Sequence, residues 1–238
     1  MQVSSDRLAA SGRIAAFGLA QFAVCLPGSI ALYPGPYSLF SQFLSELGCA
    51  VVQDHATYYF HAWLFNLTVF CLGLCLAWFF ICLTIYTSRG KTVLPVVGVC
   101  GAMASMSLAC IGGIPMSLNL QFHVLAMCSW LFFMLPMSIA WFAWLAAWNK
   151  DHPYWILLHK ALICAVCIYF PAGIIGHAQL WQKIVVMSSF LWMTGICLEI
   201  LFICWRGEFS KLMKHELSPL SRELAQRHLE RNDFRRRF

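Results

Sequence analysis

The sequence predicts an all-α polytopic membrane bundle of six transmembrane helices, with a short interfacial helix in its first outer connection and a basic cytoplasmic tail. Three observations predict it. Of 238 residues, 61% are hydrophobic and 11% are charged, with a mean hydropathy of +0.71, whereas soluble domains carry about 25% charged residues. The apolar residues gather in runs of about 20 or more, the length a helix needs to cross the hydrocarbon core. The basic residues fall almost entirely in alternate connections, as they do beside the cytoplasmic face of membrane proteins. Six spans leave too little chain for a nucleotide-binding or nucleic-acid-reading module of ordinary size. The net charge of +6 is therefore a topology and headgroup signal, and no nucleic-acid partner is expected.

Taken in order, residues 1–13 form a cytoplasmic N-terminus, 14–205 the six-helix domain and 206–238 a cytoplasmic basic tail, with spans near 14–33, 58–86, 93–114, 121–148, 155–176 and 182–205. Only helices or closed barrels satisfy the backbone in lipid, and a run such as 62–85 lacks the alternation of barrel strands. The first run follows Arg7 and Arg13 as a signal peptide would, but has no clear small-x-small cleavage site, which predicts a retained anchor. In the connection that follows, Leu39, Phe40, Phe43, Leu44 and Leu47 share one helical face, with Ser38, Gln42, Ser45 and Glu46 on the other. This pattern predicts a short amphipathic helix at the outer interface, stopped by Gly48. In the second span Ala62, Asn66, Gly73 and Ala77 make a stripe of small residues along which membrane helices approach closely. Fifteen of the sixteen basic residues fall on the side of the termini and Lys183 alone on the other, so both termini are expected in the cytoplasm. In the tail, Ser218 and Pro219 suit a helix start, and the closing Arg235, Arg236 and Arg237 suit anionic lipid. A solvated tail is the alternative.

Twelve cysteines would suggest a disulfide scaffold in a small secreted chain. Here most lie inside spans, where free Cys acts as a small hydrophobe. Cys164 and Cys167 match a C-x-x-C string without the βαβ context of a redox motif. Cys49 and Cys110 are the one pair expected near the same outer face, where a disulfide stands as an alternative to two free thiols.

Polar groups at membrane depth are costly unless they face the bundle interior or a wet cavity, and here they gather toward the outer side. Glu46, Asp54 and His55 lie in the first outer connection, His61 and Asn66 early in the second span, Asn119, Gln121 and His123 where the fourth begins, and His177, Gln179, Gln182 and Lys183 between the fifth and sixth. Glu199, in the last span, is close enough to Arg206 to reach the cytoplasmic interface. Asn119 and His123 are four apart and project together if the helix already runs through both. His61 lies about 140° round the helix from Asn66 and ranks below it. Glu46 faces either His123, in a charge-assisted pair, or water.

Several short motifs resemble a family of bacterial six-helix membrane proteins known as domain of unknown function 998. They are Ser45-Glu46-Leu47-Gly48 after the first span, Asn66 in the second, Gly113-Ile114-Pro115 ending the third, His123 opening the fourth and Gln182-Lys183 opening the sixth, where the family usually has Arg after the Gln. A more distant likeness is to eukaryotic Frag/DRAM-type six-helix proteins. The resemblance implies the six-helix fold, residence in a bacterial inner membrane and a site at the outer mouth, but supplies no activity. The family often has an acidic residue before its fourth helix and a second His after the first; this chain has Met116-Ser117-Leu118-Asn119 and Met127-Cys128 there, which weakens any metal site.

The expected site comprises Ser45, Glu46, Asn66, Asn119, His123, His177, Gln182 and Lys183 around an outward-facing polar cavity. Such a mixed donor and acceptor set suits a lipid or small polar ligand in a sensor, a transport component or an assembly partner. The alternative is a metal-assisted intramembrane hydrolase with Glu46 as base and His123, His177 or His61 as ligands, although the chain has no H-x-x-x-H or H-x-x-E-H string. Haem held by His61, His123, His159 or His177 fits less well, because His159 belongs to the opposite face, and retinal less again, because Lys160 and Lys183 lie near helix ends. A purely structural reading also stands, in which Asn66, Asn119, His123 and Gln182 hydrogen-bond helix to helix. No cofactor is expected, membrane lipids are the expected partners, and the oligomeric state stays open.

Overall fold

The computed structural model describes residues 2–49, 59–88, 93–148 and 178–208, together with Leu157 and Leu162. Within them lie five long helices: α1 (Gln2–Ala31), α2 (Tyr59–Thr87), α3 (Leu94–Gly113), α4 (Leu120–Trp148) and α5 (Ala178–Trp205). All five are long and apolar enough to cross a membrane, and no strand occurs among the described residues. The chain is thus an all-helical, membrane-embedded protein. Apart from Leu157 and Leu162, the fifth apolar run, 155–176, falls outside the described residues, as do the tail beyond 208, His177, Asp54 and His55.

The helices form an arc in which α3 packs on α2 and α4, while α1 packs on α2 and α5. Neighbours run antiparallel. Near one end Gly12 of α1 meets Leu201 of α5 and Gly98 of α3 meets Thr84 of α2; near the other Gly112 of α3 meets the backbone of Asn66 and Phe70. The start of α1 and the finish of α5 therefore share an end of the bundle. Large apolar side chains such as Phe17, Val24 and Phe132 stand outward and exposed, a patchwork expected against lipid and not against water.

Lipid tails are as apolar as leucine, so helices in a bilayer adhere through close packing and polar bonds rather than hydrophobic burial. The seam between α2 and α3 uses close packing. A Cβ at Gly73 would fall on the backbone of Ala109, and one at Gly112 on the backbone of Phe70. Between α1 and α2, Gln21 donates to the Thr68 hydroxyl at 3.3 Å. The half of the bundle away from the first connection is filled by Phe79, Phe80, Trp141, Trp144 and Trp192, all fully buried, with the Trp141 and Trp144 rings 4.6 Å apart.

The first connection differs from the amphipathic helix its pattern suggests. Residues 39–41 are turns, and the helix that does form is a single 3-10 segment, Leu44–Gly48. Leu44 and Leu47 are buried, whereas Leu39 and Phe40 are exposed. The physical reason is that side chains satisfy the backbone in place of the helix ladder: Ser38 N–H donates to the Gln42 side chain at 2.6 Å and Phe43 N–H to Glu46 Oε1 at 2.8 Å, so the segment turns instead of continuing as an α-helix. Cys49 and Cys110 are both free thiols, Cys49 buried and Cys110 exposed.

Candidate functional site

The 3-10 segment is fastened to the bundle by side chains that the sequence singles out. Asn66 of α2 donates from Nδ2 to the Gly48 carbonyl at 2.9 Å. A side chain at Gly48 would collide with Asn66 and Phe65, so only glycine lets the two approach. On α5, Gln182 Oε1 accepts the Leu44 N–H at 2.8 Å. The next residue, Lys183, donates its ammonium to the carbonyls of Gln42 and Gln179 and lies 5.5 Å from the centre of the Tyr37 ring. Glu46 spends Oε1 on the Phe43 N–H within its own turn. Tyr37 donates to the Phe43 carbonyl at 3.1 Å, and Gln42 Nε2 to the Tyr33 hydroxyl at 3.0 Å.

Burial pushes the Tyr37 phenol well above its ordinary ionisation range, and the nearby Glu46 carboxylate and Tyr33 add to the shift. Burial also raises Tyr33, with Glu46 contributing and the Gln42 hydrogen bond opposing. The Cys49 thiol is likewise raised by burial, against hydrogen bonds with Ser117, which leaves it a poor nucleophile.

His123 makes a similar tie between α3 and α4. Its Nδ1 donates to the carbonyl of Ile114 at 2.9 Å, where Pro115 ends α3, so the ring bonds the last turn of α3 to the first turn of α4. Asn119 does not project beside it. Because α4 begins at Leu120, Asn119 sits one position earlier as its cap, with Oδ1 accepting the Phe122 N–H at 3.1 Å, and its side chain is exposed. Glu46 and His123 each bond a backbone group and not each other. His61 is buried edge-on against the Tyr33 ring at 5.4 Å, away from the cavity.

Beneath this roof lies a cavity of about 80 Å³, several times the ~10–15 Å³ that one water requires. All five helices and the 3-10 segment contribute to its wall. Phe22, Phe65, Leu72, Trp130, Val185 and Met193 give it an apolar surface, and Ser45, His123, Gln182 and Ser189 are the polar side chains of its described lining. The outward-facing polar cavity expected from sequence is thus an apolar cavity with a polar roof. Ser45, His123 and Gln182 of the expected set reach it; Glu46, Asn66, Asn119 and Lys183 are absent from its described lining.

The residues that sequence reasoning did not place in the site are Tyr33, Tyr37, Ser189 and Gln42, the last read only as part of the polar face of the first connection. Ser189 carried a legible signal, since it lies seven residues after Gln182 and so on the same helical face. Among the described residues, no group of three His, Cys, Asp or Glu side chains is arranged to hold a metal ion. No protein-family model, curated protein or solved structure matches the chain.

Proposed function

We propose that this membrane protein holds a lipid-like molecule in the cavity inside its bundle, with the 3-10 segment as a fixed roof at the outer end. One observation carries the reading: an apolar space bordered by the five described helices and capped by a polar turn whose backbone is bonded to α2 and α5. Close packing is the rule in protein interiors, and a mostly apolar cavity offers a hydrocarbon group better contacts than it offers a polar solute. Gln182 and Met193, both on its wall, are eleven residues apart, about 16 Å along a helix, which suits a chain better than a compact polar solute. The hydrolase reading gains no support, because Glu46 stands off the cavity with its carboxylate engaged by Phe43.

The outer placement of the roof, the cytoplasmic termini and a sixth crossing by 155–176 belong to the same proposal. They are supported by the one-sided distribution of basic residues and by α5 beginning at the end of the bundle where α4 begins. Kinship with the six-helix family is proposed on its short motifs alone.

The test is native mass spectrometry of the full chain released from lipid nanodiscs. The unaltered protein is expected to retain a single-chain lipid. Val186→Trp, which fills the cavity from α5, is expected to lose it while remaining folded. A protein that retains nothing, or a filled variant that retains as much, overturns the reading.

A further inference from the structure

Hydroxyls in the helices of this protein follow a habit that Ser189 breaks. Ser29, Thr84, Thr87, Ser105, Ser107 and Thr194 each donate to the carbonyl four residues earlier, at 2.6–3.0 Å, which satisfies the hydroxyl without any partner outside the helix. Ser189 is 3% exposed and lines the cavity, and its hydroxyl has no hydrogen-bond partner among the described residues. A buried polar group without a partner is costly in an apolar setting. Ser189 thus lines the cavity without the bond to its own backbone that the other hydroxyls make.

The roof of the same cavity has unused capacity of a definite kind. His123 Nδ1 donates to Ile114, so in the uncharged ring Nε2 is left as an acceptor. Gln182 has committed its oxygen to the Leu44 N–H, and among the described residues its NH2 group meets only the Met127 sulfur at 3.9 Å, a weak acceptor. The Ser45 hydroxyl likewise meets only the Met116 sulfur, at 3.9 Å, among the described residues. No charged side chain stands in the described lining, and Lys183 is turned to backbone carbonyls of the roof. The cavity therefore offers uncharged donors and acceptors at two depths. Gln182 and Ser189 lie on one face of α5, about 10 Å apart along its axis.

Resting on the lipid-holding reading above, we infer that the ligand is an uncharged single-chain amphiphile with oxygen at two depths: a carbonyl or hydroxyl at the roof, met by Gln182, His123 and Ser45, and a second oxygen about 10 Å along the chain, met by Ser189. A phosphate headgroup finds no counter-charge in the described lining, and a plain hydrocarbon chain leaves Ser189 unsatisfied.

The experiment adds three probes to the full chain in nanodiscs and reads affinity by native mass spectrometry and thermal stabilisation. The probes are methyl 10-hydroxystearate, whose hydroxyl lies at the required depth and whose chain beyond it leaves through the open side of the cavity, methyl stearate, and stearoyl lysophosphatidylcholine. The hydroxylated ester is expected to bind about five- to tenfold more tightly than methyl stearate, as one satisfied hydrogen bond provides, and the charged lipid most weakly. In Ser189→Ala the preference for the hydroxylated ester is expected to vanish while methyl stearate binds as before. Equal binding of the two esters, or a preference that survives in Ser189→Ala, overturns the inference and leaves the lipid-holding reading standing. If the lysophospholipid binds best, the inference falls in the same way. If none of the probes binds, both fall.

Discussion

The two ends of the bundle are held together by different physics. At the roofed end, Asn66, Gln182, Lys183 and His123 each reach a backbone group on another element, and the space beneath them is open. At the opposite end, Phe79, Phe80, Trp141, Trp144 and Trp192 fill the interior, and Gly98 brings α3 against Thr84. Directed bonds fix position without filling volume, whereas close-packed rings fill volume. That contrast is why the cavity lies beneath the roof.

Substitutions at the packed end cost the bundle most. Trp192→Ala is expected to cost about 3–5 kcal/mol, the range for emptying a large aromatic site, measured by reversible unfolding in detergent. The 3-10 segment should stay protected from hydrogen exchange until the whole bundle unfolds. Next in size is Gly73→Val, which forces α2 and α3 apart and is expected to cost about 1–3 kcal/mol by the same measurement.

At the roof, Gln182→Leu strands the Leu44 N–H and is expected to cost about 1–3 kcal/mol. Here the loss should be local, seen as faster amide exchange over residues 44–48 with little change in global unfolding. Asn66→Ala removes one bond in a membrane setting, at roughly 0.6 kcal/mol, and should loosen the same segment less. If these two substitutions instead melt the bundle as Trp192→Ala does, the division between the ends is wrong.

The smallest effect concerns alkaline pH. Tyr37 ionises at higher pH when folded than when unfolded, because burial and Glu46 disfavour its phenolate. Its contribution is complete below the unfolded phenol value of about 10 and is lost as pH rises beyond it. Exchange over residues 44–48 should accelerate above that pH in the unaltered chain and much less so in Tyr37→Phe. An equal acceleration in both would assign the effect elsewhere.

Much of the roof is legible in the amino-acid pattern. Asn66 on a stripe of small residues does face a neighbouring element, and Gln182 and Lys183 do meet the first connection. What sequence periodicity misassigns is the connection itself. Five apolar residues at helical spacing describe an amphipathic helix only if the backbone stays α-helical, and the Gln42 and Glu46 side chains offer nearby N–H groups another partner. Asn119 is misplaced for a related reason: one residue decides whether it lies inside α4 or caps it, and helix ends are the least periodic segment of a pattern.

Long apolar runs are a local property, and they suffice to place the chain in a membrane as helices, because lipid tolerates no other open arrangement of the backbone. The amino-acid order likewise shows the polar groups gathering at one end. Which of those groups bond to backbone, and which remain free to meet a ligand, only the tertiary structure decided. A side chain's spare donor or acceptor depends on what packs against it, as the committed oxygen and uncommitted NH2 of Gln182 make plain.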